Sequence, residues 1–93
     1  MDKAELRAIA ARCEKATKGP WISFVEGRDH TCGSDFIRTA GEDIELLGAT
    51  KDDQDFIAHA RQDIPALLGE IARLNRLLDA RSETNGESLW EKK

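Results

Sequence analysis

The chain has no apolar run near the ~18 residues that a membrane span needs. Its opening, Met-Asp-Lys-Ala-Glu-Leu-Arg, lacks the apolar core of a signal peptide. These absences lead us to expect a cytoplasmic protein. Cysteine is scarce, with 2 in 93 residues. Cys13 falls on the apolar face of a predicted helix and reads as a small buried hydrophobe. Cys32 sits in a polar turn, where a free thiol is expected. Basic charge is not in excess either: 18 Asp and Glu face 14 Lys and Arg, for a net charge of −4. A domain that grips a phosphate backbone normally carries a basic face, so direct nucleic-acid binding is not expected. An acidic surface is suited instead to a basic protein surface.

Signatures of catalysis and cofactor binding are also missing. Asp29, His30 and Cys32 lie close together, but a tetrahedral zinc site needs four ligands, and His59 is the only other histidine. A Cys–His nucleophile would need an orienting group and a pocket, and neither is evident. His59 itself reads as a partly buried packing residue of a helix. Asp52-Asp53-Gln54-Asp55 lacks the alternating ligands, central glycine and distant glutamate of a calcium loop. The glycines at 27, 33, 41, 48 and 69 never form a phosphate-binding spacing before a helix. The expectation is a non-enzymatic chain with no cofactor, no metal and no catalytic residues.

What the sequence does contain is a seam. Ile64, Leu67, Ile71, Leu74 and Leu78 recur in steps of 3 and 4, with Leu68 and Leu77 widening the stripe. This is the spacing of one helix with a continuous apolar edge. Ninety-three residues make one small domain, which buries only about 60–65% of its unfolded surface.

The rest of the chain reads as α+β. Residues 2–17 predict a first helix, with Asp2 as N-cap and Glu5 completing a capping box. Gly19 is placed as a left-handed C-cap, and Pro20 stops the helix. Segments 21–26, 36–39 and 44–47 read as three short strands of an antiparallel meander. Thr50 caps a second helix whose first turn holds Asp52, Asp53 and Asp55, where negative charge suits the dipole. Pro65 predicts a break near residues 62–64, with Asp63 capping a third helix that runs to about Arg81. Residues 1–81 form the domain with a bent C-terminal helical arm, and 82–93 a polar, mobile tail marked by Leu89 and Trp90.

A ~17-residue helix is ~25 Å long, whereas a strand of ~6 residues spans only ~20 Å. Residues up to Ile71 are expected to pack on the body, while Leu74 to Leu78 overhang it and pair with a second copy or another protein; Ile71, Leu74, Leu77 and Leu78 are the expected self-association residues.

Two segments resemble a known group. Ala16-Thr17-Lys18-Gly19-Pro20-Trp21 resembles the Ala-Thr-x-Gly-Pro-Trp element of small uncharacterised proteins from tailed phages, prophages and bacteria. Residues 55–68, from Asp55-Phe56-Ile57-Ala58 to Pro65-Ala66-Leu67-Leu68, resemble their Asp-x-Phe-Ile-Ala-x-Ala-Arg-x-Asp-Val-Pro-Ala-Leu-Leu element. The resemblance spans roughly residues 4–78 and implies a phage-associated gene, but supplies no chemistry and no site residues.

The functional expectation is a phage-derived protein that occupies a surface of a host protein, for example an anti-CRISPR-like inhibitor of a bacterial defence system. Its contact residues are expected to be Glu26, Asp29, Glu42, Asp43 and Glu45 with Asp52, Asp53 and Asp55. Two rival classes are a nucleotide-signal sequestering protein, with Arg28, Arg38 or Arg61 on phosphate, and a structural dimerisation module.

Overall fold

Helix α1 (Lys3–Lys15) begins as its sequence dictates. The Asp2 carboxylate accepts the Glu5 amide at 2.8 Å and the Glu5 carboxylate accepts the Asp2 amide at 2.8 Å. This reciprocal box satisfies two of the amides that a helix start leaves without partners. The computed structural model describes residues 1–31 and 33–85, with side chains through Arg81. Cys32, Leu89 and Trp90 therefore lie outside the described residues.

Strands β1 (Ile22–Phe24) and β2 (Phe36–Arg38) pair antiparallel, with Ile22 opposite Arg38, Ser23 opposite Ile37, and Phe24 opposite Phe36. The period of two sorts the side chains. Val25 and Ile37 are fully buried on the inner side. On the outer side the Phe24 and Phe36 rings stack at 5.2 Å, His30 meets Phe36 edge-on at 5.3 Å, and the Arg38 guanidinium lies 4.6 Å over Phe24.

The third strand of the expected meander is not formed. Segment 44–47 contributes one bridge, in which Ile37 and Ile44 exchange two amide–carbonyl bonds of 2.8 Å. Thr39 explains the tight approach: its hydroxyl donates to the Glu42 carbonyl and accepts the Gly41 amide, closing the turn just before the bridge. Beyond Ile44 the chain leaves the ladder, Leu47 is fully exposed, and Gly48 turns with φ 82°.

Helix α2 (Lys51–Asn85) is a single helix of 35 residues. Its start is a second reciprocal box, with Thr50 and Asp53 exchanging two bonds of 3.0 Å. Pro65 lies inside it, so the predicted break at 62–64 is not there. A proline costs a helix interior ~3 kcal/mol, and α1 lies alongside α2 on both sides of the site. Ile9, Arg12 and Cys13 of α1 and its C-cap Ala16 face Ile57, Ala60, Arg61 and Ile64, while Leu6, Arg7 and Ala10 face Leu68, Ile71, Ala72 and Asn75. The helices therefore run antiparallel, and α1 splints α2 across Pro65.

Gly19 corrects a further expectation. α1 ends at Lys15, and Gly19 is not in the left-handed region; it precedes Pro20 through a cis peptide. Its value is closeness: a Cβ there would sit 3.3 Å from Gln62 Oε1 and 3.4 Å from Arg61 Cγ. The chain turns from helix to sheet directly against α2.

Candidate functional site

The most prominent exposed surface lies on α2. The helix is ~52 Å long at 1.5 Å per residue, whereas α1 reaches only to the neighbourhood of Asn75. Ile71 is half-buried beneath α1. Past it, Leu74 is 45% exposed, Leu77 49% and Leu78 60%, and Leu67 on the same edge is 61% exposed. These are large apolar side chains in a row on one helix, a concentration that differs from the scattered exposed leucines of ordinary surfaces. Phe56 continues the edge toward the sheet.

The acidic residues divide into two groups. Asp29 and Asp55 both bind Arg28. The guanidinium bonds Asp55 at 2.9 and 3.0 Å as a fork and reaches Asp29 at 3.0 Å. These bonds, with the Ser23 hydroxyl second, hold Asp55 down to about 2. Asp29 is lowered by Arg28 first and by the Val25 amide second. Asp53 is engaged in the α2 cap, Glu26 accepts the Gly33 amide, and Glu45 accepts the Ser34 hydroxyl. Glu42, Asp43 and Asp52 are exposed and carry no ion pair among the described residues. The eight expected contact residues therefore do not form one free acidic face; five of them have internal structural partners.

Ser23, Asp55 and His59 border one shallow recess with Arg28. The order of contacts makes this a joint rather than a nucleophile. The Ser23 hydroxyl accepts the Gln54 amide at 2.8 Å and helps to lower the Asp55 carboxyl. A carboxylate held near 2 by a guanidinium is a weak base. His59 is exposed, not partly buried as expected, because β1 packs one position further round α2. Among the described residues, no three His, Cys, Asp or Glu side chains gather in a metal-binding cluster.

What faces β1 is a stripe that sequence reasoning missed: Gln54, Ala58 and Gln62. Gln54 is 4% exposed, and its amide nitrogen reaches Ser23 Oγ, the Phe24 carbonyl and the Phe36 carbonyl at 2.8, 3.2 and 3.3 Å. Gln62 accepts the Trp21 amide at 2.7 Å and donates to the Trp21 carbonyl at 3.1 Å, as a neighbouring strand would. Ala58, 1% exposed, keeps the strand close between them. The signal was a repeat of uncharged residues at i, i+4 and i+8 beside charged neighbours.

The same region joins residues 16–21 to residues 55–68. Thr17 presents its carbonyl to the Trp21 indole at 2.9 Å and to Arg61 Nε at 3.0 Å. Arg28, Arg38 and Arg61 are each engaged within the chain, with carboxylates, an aromatic ring and a carbonyl respectively. Cys13 is half-buried and lines the apolar gap between the helices. No helix among the described residues is long and apolar enough to cross a membrane. No family model matches the chain, and neither a curated protein nor a solved structure matches it significantly.

Proposed function

We propose that this chain is a non-enzymatic binding protein of phage origin that acts by laying its helical arm on another macromolecule. The observation that carries this reading is the exposed edge of Leu67, Leu74, Leu77 and Leu78 on a helix that outruns its own body. Such an edge loses contact with water favourably when another apolar surface covers it. The helix-in-groove mode reads anchors at this kind of spacing. A host protein is the proposed target, and inhibition of a bacterial defence system is the concrete version. Glu42, Asp43 and Asp52 are the exposed carboxylates that would complement a basic rim on that target.

Arg28, Arg38 and Arg61 support the binding class over nucleotide sequestration, since each already has an internal partner. The test is affinity capture from bacterial lysate with mass identification, comparing the native chain with Leu74→Lys and Leu78→Lys chains. Retention of one host protein by the native chain alone supports the reading. Equal retention by all three chains refutes the arm as the contact.

A further inference from the structure

We propose that the arm's first partner is a second copy of this chain, paired antiparallel about an axis between Ala72 and Arg73. This deepens the reading of the arm as a binding surface and rests on it. Leu67, Leu74 and Leu78 lie roughly a quarter turn round α2 from the Leu68, Ala72 and Asn75 side that α1 occupies, so α1 leaves them open. Antiparallel pairing about that axis sets Leu67 opposite Leu78 and Ile71 opposite Leu74, and repeats both layers by symmetry. Every layer between Leu67 and Leu78 is then apolar on both sides. Half-buried Ile71 joins α1 to the new layer, so each copy adds a helix pair to a four-helix core.

Charge sets the direction. From Lys51 to Glu70 the helix carries five carboxylates against Lys51 and Arg61; from Arg73 to Arg81 it carries three arginines against Asp79. Antiparallel pairing opposes the two helix dipoles and sets Arg81 of one copy one residue from the position opposite Asp63 of the other. Parallel pairing stacks like on like, and its flanking positions, Asp63 against Leu68 and Glu70 against Asn75, supply no opposite-charge pair to fix it. Glu70 is moreover bonded to Arg73 on its own helix.

Two measurements on the full chain test this. Light scattering at about 50 µM, a concentration suited to a micromolar contact, is expected to give the mass of two chains. Leu78→Lys is expected to give one chain with an unchanged far-ultraviolet circular dichroism spectrum. For direction, cysteines are placed in a Cys13→Ser, Cys32→Ser background. Oxidation of a mixture of Leu67→Cys and Leu78→Cys chains is expected to yield a cross-linked heterodimer, and Leu67→Cys chains alone none, since in this register their two sites are ~16 Å apart. Self-cross-linking of Leu67→Cys chains overturns the antiparallel register. A native chain that is monomeric overturns the self-pairing. If that monomer still captures a host protein through Leu74 and Leu78, the binding reading survives alone; if it captures nothing, both fall.

Discussion

Replacing Gln54 tests the central joint of the fold, because one side-chain amide holds both strands to α2. Gln54→Leu keeps the volume but removes a donor that reaches Ser23 Oγ, the Phe24 carbonyl and the Phe36 carbonyl. The loss falls on one hydroxyl and two carbonyl acceptors. A buried acceptor left without a partner costs ~1–3 kcal/mol, and partial compensation within the ladder puts the total near ~2 kcal/mol. For a domain of this size that lowers the melting temperature by roughly 8–16 °C. Gln54→Glu should be worse at neutral pH, because it places a carboxylate against carbonyl oxygens in a site only 4% exposed. Burial raises such a group's pKa in the folded state above its unfolded value of about 4.3. The folded variant then binds more protons than the unfolded one, so its stability relative to the native chain falls as pH rises from about 4.3 and levels off above the folded pKa. The assay is urea unfolding followed by circular dichroism, for the three chains at matched pH between about 4 and 8. If Gln54→Leu lies within about 0.5 kcal/mol of the native chain, a range typical of uninvolved surface positions, the amide does not organise the joint.

Ala58→Leu should cost at least ~2 kcal/mol by forcing β1 off the helix, and a native-like urea midpoint would contradict the close contact. Asp55 should mark the acid limb: its pKa is lowered to about 2 by Arg28, so its stabilisation is complete above the unfolded value near 3.8 and is lost as pH falls from there toward 2. An Asp55→Asn chain that keeps the native acid dependence across that window would remove Arg28 as the cause. Leu78→Lys should change the unfolding free energy of the isolated monomer by less than about 0.5 kcal/mol, since Leu78 is 60% exposed; a larger loss would mean that the arm's edge already packs within one chain.

The elements with local causes were legible in the sequence. Both helix starts were read correctly, because a capping box needs only residues three apart and is visible without knowing the fold. The β1–β2 pairing followed from aromatic and β-branched content around turn residues. The failures share a different cause: each depended on what another element does. Gly19 suggested a left-handed cap, yet its role is to let the chain approach Gln62. Segment 44–47 has strand composition, but the Thr39 turn and Gly48 leave it one bridge. Gln54 was not singled out, because its partners include backbone carbonyls, which carry no sequence signal.

Pro65 and the leucine edge show how one misreading left the exposure of the edge unchanged. A break at Pro65 would have made the arm a separate element, free to fold back over the sheet and cover its own leucines. The structure instead keeps α2 continuous, with α1 against it on both sides of the proline. A continuous helix cannot reverse, so Leu74, Leu77 and Leu78 are carried away from the sheet by the rigidity that α1 provides. The 3,4 spacing fixed which residues share an edge; the splint decides that the edge faces outward. The exposure of the arm is thus a consequence of the packing that stabilises the body.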